Sequence, residues 1–412
     1  MKVVSSFPGV KNPNWKYVYW GLLVLCVGIG VKHFLSTFHD YGIYWEAGQK
    51  ILRGEGTLLY DRTRLEPGGF YYPYFWAVLF GGFVKLSFGL DKILFMFLFC
   101  LSFFKIIQFS ARLAIEKLSL HRESYFFVSS VTLFLGIYAF NDSLMNSNIG
   151  ILLALVSVFS FEFFEKRKFA LSGFFLALGI AMKFYPLVLL GYWIWRKSWL
   201  VVAWTVGFTL FFLFGTPILM EGWEAGTNLV ADNFYVMGRY GDQVGWNYSG
   251  IMFQNFTATS LRYLSLVGIS EAQSFRFLFF GATAGVVVLY LPTFLVKADK
   301  FKEFRNLVFI HALALVPLLT PISWYNMGVF YLPMIAYFVA KAFVEKEKKA
   351  RWALGLFFVF YSLSPQGIVP KPVNDFMEFW GMPFWGIMAL FLTLTWDLFG
   401  LKNLLNFLKV KS

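Results

Sequence analysis

The feature that most restricts this chain is a series of long apolar runs almost empty of charge. Tyr17–Val31, Phe126–Phe140, Val201–Leu219 and Phe277–Val296 each extend about 15–20 residues. A helix rises about 1.5 Å per residue, so each run approaches the roughly 30 Å of a hydrocarbon core. The runs are continuous rather than alternating. Every backbone polar group must then be satisfied inside its own segment, which selects helices over a barrel. Charged residues make up only 14% of the chain, against roughly 25% in a soluble domain. The expected fold is an all-α polytopic membrane protein. No Gly-, Ser- or Pro-rich linker and no fixed-period repeat divides it, so residues 1–412 read as one integral membrane domain.

The net charge of +13 raises the question of a nucleic-acid partner, and its distribution answers it. Basic residues form short clusters between apolar runs: Lys166-Arg167-Lys168, Arg196-Lys197, Lys297 to Arg305, Lys346 to Arg351 and Lys402 to Lys411. That is the positive-inside pattern of cytoplasmic loops, so no nucleic acid is expected. Lys2, Lys11 and Lys16 precede the first apolar run, with no small-x-small cleavage site after it, which reads as a retained first helix. Cys26 and Cys100 lie within apolar runs and are expected as packed thiols.

With the N-terminus inside, the first crossing is expected near Tyr17–Leu35, which puts residues 36–72 outside as a first outer loop. Working back from the basic C-terminus gives crossings near Met382–Gly400, Trp352–Leu363, Tyr325–Phe343, Asn306–Thr320, Phe275–Val296 and Leu200–Leu219. The outer face then receives residues 221–273 as a large aromatic loop, the Pro321–Tyr325 corner and Pro365–Gly381. Between Lys168 and Arg196 only 27 residues are available, where two crossings need roughly 40. A short helical hairpin bent at Lys183-Phe184-Tyr185-Pro186 is expected. From Tyr72 to Ser110 the length suits two helices broken at Gly89-Leu90-Asp91-Lys92, while the charge pattern asks for an odd number of crossings. The total is about 11–13 transmembrane or re-entrant segments.

Several polar positions on the outer face are candidates for chemistry. His39-Asp40 opens the first loop. Tyr41, Tyr44, Trp45, Gly48, Ile51 and Leu52 then share one face of a helix, and Glu46, Gln49, Lys50 and Arg53 the other, as in a helix lying in the membrane interface. Asp40 can cap that helix, and an acid held there can also serve as general base on a hydroxyl. Lys183, within an apolar hairpin, either pairs with an acid, snorkels to water or binds an anion such as phosphate. The aromatic loop carries Trp223, Phe234, Tyr235, Tyr240, Trp246, Tyr248, Phe253 and Phe256, which form an interfacial belt or stack on sugar rings. Asn141-Asp142-Ser143 with Asn146-Ser147-Asn148, and Pro321 to Asn326, are polar sets at the same level. There is no Walker loop, dinucleotide fingerprint or HExxH, and four histidines with two cysteines indicate no zinc site. An enzyme of this kind draws on a donor that already resides in the membrane.

In order along the chain, these motifs resemble glycosyltransferase family 87, polyprenol-phosphate-sugar-dependent enzymes of the GT-C class. The resemblance runs through Asp40-Tyr41, Tyr44-Trp45-Glu46-Ala47-Gly48, Leu52-Arg53-Gly54, Leu59-Tyr60 and Phe70-Tyr71-Tyr72-Pro73. It continues with Asn146-Ser147-Asn148, Lys183-Phe184-Tyr185-Pro186, Asn247-Tyr248-Ser249 and Pro321-Ile322-Ser323-Trp324. Tyr74, Tyr248 and Asn326-Met327 stand where the family commonly has proline, glutamine and histidines. The resemblance implies a GT-C-type bundle with extracytoplasmic loops. It also implies a lipid-phosphate sugar donor, commonly mannose, transfer with inversion to an envelope glycolipid or glycan, and an aspartate base that falls on Asp40. Lys183 is the expected site of the donor phosphate. Substrate contacts are expected at His39, Tyr44, Glu46 and Tyr72; at Asn146, Asn148 and Tyr185; and at Asn247, Ser249, Ser323, Trp324, Tyr325 and Asn326. No cofactor beyond the lipid-linked donor and no metal is expected, since no second carboxylate pairs with Asp40 at a suitable spacing. The location expected is the inner (cytoplasmic) membrane, with the site on its extracytoplasmic face. A flippase or transporter for a lipid-linked sugar, and an inactive sugar-binding membrane subunit, are the alternatives. The first would show matching broken helices in two halves, and Lys183 marks the one clear break.

Overall fold

A computed structural model describes residues 12–36, 40–60, 69–243, 249–295, 302–320, 323–365 and 368–400. The described residues are 83% helical, in 17 helices and with no strand, so the chain is an all-α polytopic membrane protein. In order these are α1 (Trp15–Ser36), α2 (Asp40–Leu52), α3 (Tyr74–Phe83), α4 (Phe88–Lys117), α5 (Tyr125–Asn146) and α6 (Gly150–Glu165). Next come α7 (Phe169–Met182), α8 (Tyr185–Trp195), α9 (Trp199–Glu221), α10 (Trp223–Gln243) and α11 (Phe256–Leu266). The series closes with α12 (Glu271–Leu295), α13 (Lys302–Leu319), α14 (Tyr325–Val344), α15 (Lys348–Phe357), α16 (Lys371–Phe379) and α17 (Met382–Phe399). Seven are long and apolar enough to cross a membrane: α1, α4, α5, α9, α12, α14 and α17. Four shorter apolar helices, α3, α7, α8 and the Phe304–Leu319 part of α13, join them.

Helix ends follow local chemistry. Pro73 and Pro370 stand just before α3 and α16, where a fixed φ and a missing N–H are harmless. Arg167, Lys197 and Lys346 each adopt the left-handed conformation that closes a helix. These three residues therefore sit just past helix C-termini, where the macrodipole favours cations.

The chain divides into two compact units. One comprises Ile29–Phe103 and Asp142–Asn247, the other Met1–Gly28, Phe104–Asn141 and Tyr248–Ser412. In the first unit α2 lies hard against α3: a Cβ on Gly48 would stand 3.0 Å from both Gly81 N and Phe80 C. Tyr41 and Tyr44 are fully buried among Phe80, Phe95 and neighbouring rings. Tyr41, Tyr44 and Gly48 of the apolar face of α2 are thus covered by protein, while Leu52 at its end is exposed. Leu229 and Val236 of α10 join Ala47, Leu59, Tyr60, Tyr74 and Ala77 in one core. The stretch expected as a large loop is therefore mostly helical, as α10 and α11.

The region from Tyr72 to Ser110 resolves by length. At 10 residues, α3 rises only about 15 Å, half a hydrocarbon core, and α4 is the one helix of this stretch long enough to cross. The break lies at residues 84–87, not at Gly89–Lys92, which form the first turn of α4. The Ser87 hydroxyl accepts from Leu90 N at 3.4 Å at that start. α6 and α7 are joined by Ser172 donating to Ser160 O at 2.7 Å. Phe169, at the start of α7, and Trp193, near the end of α8, both pack on Phe164. The chain accordingly turns back on itself at Lys183–Pro186.

In the second unit α12 stands apart, with only 6% of its Ser274–Leu291 window buried and Phe277, Phe280 and Val288 more than 60% exposed. Its polar tie is Tyr290 OH, 2.6 Å from His311 Nδ1 on α13, whose Nε2 is 3.0 Å from Thr395 Oγ1 on α17.

Candidate functional site

Asp40 is the first residue of α2, where the positive end of the helix favours an anion. One turn on, Tyr44 points its hydroxyl at Asp40 Oδ2, 3.4 Å away, and at Tyr72 OH, 3.0 Å away. Burial, reinforced by Tyr72 and Asp40, holds the Tyr44 phenol well above its ordinary range. Tyr44 therefore keeps its single proton. When that proton goes to the carboxylate, Tyr72 is the donor to Tyr44. Tyr72 is itself anchored by its backbone, since its carbonyl accepts from Tyr60 OH at 2.8 Å and Asn233 Nδ2 at 3.1 Å. Asn233 lies on the same face of α10 as Leu229 and Val236, spaced by four and seven residues. That periodicity marks Asn233 as part of the buried face of α10, though not its partner.

The second donor to Asp40 comes from far along the chain. Asn148 Nδ2 lies 2.9 Å from Asp40 Oδ2, while Asn148 Oδ1 accepts from Gly150 N at 3.0 Å. The connection that presents it is a Schellman corner: Ser147 N bonds Leu144 O at 3.1 Å and Asn148 N bonds Ser143 O at 3.0 Å. Ser147 takes φ +52° there. Asn146, the other amide of this motif, turns back onto its own helix, donating to Asp142 O and Oδ1 at 3.0 Å each. It serves α5 rather than the Asp40 group. Glu46 lies on the exposed face of α2, away from Tyr44.

Lys183 sits between α7 and α8 in extended backbone, φ −163° and ψ 127°. Its ammonium lies over two ring faces, Tyr185 at 4.7 Å and Tyr72 at 5.7 Å. Among the described residues no carboxylate pairs with it. A cation held by aromatic faces keeps its charge available to an anion, unlike one neutralised in an ion pair. Asp40, Tyr44, Tyr72, Asn148, Lys183 and Tyr185 thus form one connected group within the first unit, from carboxylate to ammonium through two tyrosines.

The C-terminal motif gathers in the second unit. Ser323 O accepts from Gln254 N at 3.2 Å, and Trp324 packs edge-on against Phe253 at 5.4 Å. Tyr325 meets Tyr138 at 5.0 Å, and Ser323 and Asn326 are buried. Arg262, which sequence reasoning passed over, organises this corner. Buried without a carboxylate in hydrogen-bond reach among the described residues, it donates to Gly250 O at 2.9 Å, Phe253 O and Phe379 O at 3.0 Å, and Ser249 O at 3.4 Å. Burial pulls its guanidinium down to about 10, which leaves it charged at neutral pH. An arginine inside the apolar stretch of α11 was the available signal. Glu378 was missed as well; it accepts from Asn374 Nδ2 at 3.1 Å. His39, Asn247 and the Pro321-Ile322 pair lie outside the described residues.

The sequence profile of glycosyltransferase family 87 matches residues 70–321, more than half of the chain. The chain belongs to glycosyltransferase family 87. It is a glycosyltransferase built of membrane helices. The family 87 match contains Tyr72, Asn148, Lys183, Tyr185 and Ser249; Asp40 and Tyr44 precede it, and Ser323 to Asn326 follow it. No curated protein and no solved structure matches the chain.

Proposed function

We propose that this family 87 glycosyltransferase moves a sugar, mannose in our reading, from a polyprenyl-phosphate donor to an envelope glycolipid or glycan. In this reading Asp40 is the general base and Lys183 receives the donor phosphate. The observation that carries the proposal is the connected group just described: one carboxylate and one ammonium without a carboxylate partner, linked through Tyr44 and Tyr72. An inverting transfer needs those two charges. Asp40 takes the proton of the acceptor hydroxyl as its oxygen attacks the anomeric carbon, on the face opposite the leaving phosphate. The C–O bond to phosphate breaks, and Lys183 stabilises the charge that gathers on the departing oxygen. Tyr44, which keeps its proton, acts by hydrogen bonding to the base. No metal has a role in this scheme. The basic clusters support a site on the extracytoplasmic face of the inner membrane, where a lipid-linked donor enters sideways from the bilayer.

The test is transfer by the purified protein in detergent, supplied with a short polyprenyl-phosphate mannose and a lipid acceptor extract. Asp40→Asn should abolish turnover while the protein still purifies and melts normally, because the amide oxygen still accepts the same hydrogen bonds but takes no proton. Wild-type turnover in that variant would refute Asp40 as base. Addition of a chelator should leave wild-type turnover unchanged.

A further inference from the structure

Building on that proposed reaction, we infer that Asn148 is a positioning residue for Asp40, fixing the carboxylate through the α5–α6 corner rather than contacting sugar. The two ends of its carboxamide are not interchangeable. Oδ1 is occupied by Gly150 N at 3.0 Å, which decides the amide orientation and turns Nδ2 toward Asp40 Oδ2 at 2.9 Å. The backbone that carries it has little freedom, because the paired hydrogen bonds of the Schellman corner fix Ser147 and Asn148 together. Asn148 is also buried, at 8% exposure, which leaves it little surface for a sugar.

Tyr44 reaches the same carboxylate oxygen from α2 itself. Oδ2 therefore receives donors from two helices that are distant in sequence, and the plane of the carboxylate is set from both. A general base depends on this, since proton abstraction requires a heavy-atom approach of about 2.6–3.2 Å along a lone-pair direction. The titratable and charged groups joined to this cluster among the described residues include Tyr44 on the same helix, Tyr72 beyond it and Lys183 over the Tyr72 ring.

The experiment reads Asp40 directly. Infrared difference spectra between wild type and Asp40→Asn isolate the Asp40 carboxyl band, and its intensity is followed against pH in wild type, Asn148→Ala and Asn148→Asp. Asn148→Asp keeps an oxygen for Gly150 N, so the corner and the melting temperature should hold. It places a second carboxylate beside Asp40, and the Asp40 midpoint should rise by about one pH unit or more. Asn148→Ala removes a donor to the ionised form and should raise the midpoint less. In transfer assays Asn148→Ala should lower kcat about ten-fold or more while leaving the KM for the donor unchanged. Midpoints that do not move in either variant, or an Asn148→Ala enzyme with raised KM and intact kcat, would overturn the inference. If Asn148→Ala fails to fold, Asn148→Asp alone decides. Should wild type give no transfer from any polyprenyl-phosphate sugar, the proposed reaction fails, while the infrared midpoints still judge Asn148.

Discussion

Lys183→Ala separates a binding role from a structural one most sharply. A lysine paired with a buried acid would, when removed, strand that acid at a cost of about 3–5 kcal/mol. Here the ammonium rests on Tyr185 at 4.7 Å and Tyr72 at 5.7 Å, contacts each contributing about 0.5–1 kcal/mol. Their loss amounts to at most about 2 kcal/mol, which lowers the melting temperature by only a few degrees. The catalytic loss should be larger. A unit charge about 4 Å from a phosphate, at an effective dielectric near 20, contributes about 4 kcal/mol. Releasing the two ring contacts to meet the phosphate offsets roughly 1 kcal/mol of that. About 3 kcal/mol then remains, or about 10²-fold in kcat/KM for the donor. Lys183→Arg should recover part of the loss, since the charge stays but its shape changes. The assay is paired: donor kinetics and a thermal melt on the same purified preparations. Unchanged donor kinetics together with a clearly lowered melting temperature in Lys183→Ala would refute the reasoning.

Gly48→Val should destabilise the first unit by about 1–3 kcal/mol, because the new Cβ meets Gly81 N and Phe80 C at 3.0 Å and backbone cannot swing aside; an unchanged melting temperature would contradict this packing. Glu378 gives a pH-dependent contribution. Burial holds its carboxyl above the ordinary glutamate range, against the opposing pull of Asn374, Tyr325 and Arg262. A raised folded-state value means that its contribution is complete below the unfolded glutamate value and is lost as pH rises through the folded one. Glu378→Gln should therefore flatten the fall in melting temperature over that window, and an identical slope in both proteins would exclude it. A cysteine introduced at Ser249 should react with an impermeant thiol reagent applied to intact cells and one at Ser198 should not; labelling at Ser198 would overturn the proposed orientation.

Much of the helical layout is legible in the sequence because uncharged runs leave the backbone no alternative in lipid. The start of α1, the turn at Lys183 and the limits of α17 follow from apolar length and basic flanks alone. Where the reading failed, local composition misled it. Gly89-Leu90-Asp91-Lys92 has the look of a turn, yet an aspartate is equally at home in a first helical turn, and that is where Asp91 lies. The polar surface of α10 concealed a helix whose buried face is visible only at a spacing of four and seven. The candidate site divides in the same way. Residue type singled out Asp40 and Lys183, but nothing in Asn146-Ser147-Asn148 says which amide reaches the carboxylate. That depends on a left-handed Ser147, a property of the folded corner. The supports of Tyr72 were hidden for a related reason: they act on its carbonyl, which every residue possesses.

The nearly bare flank of α12 makes the bilayer a structural component of this enzyme. Its apolar Ser274–Leu291 window is 18 residues long, about 27 Å of helix, close to the roughly 30 Å of a typical hydrocarbon layer. Only 6% of that window is buried, against 89% for α14, so in a bilayer lipid acyl chains would have to cover what side chains cover around α14. The Tyr290–His311–Thr395 chain is then a tether that keeps the helix at the protein's edge as the lipid around it changes. Extraction replaces those acyl chains with detergent tails of another length, so the choice of detergent acts on this protein much as a core substitution acts on a soluble one.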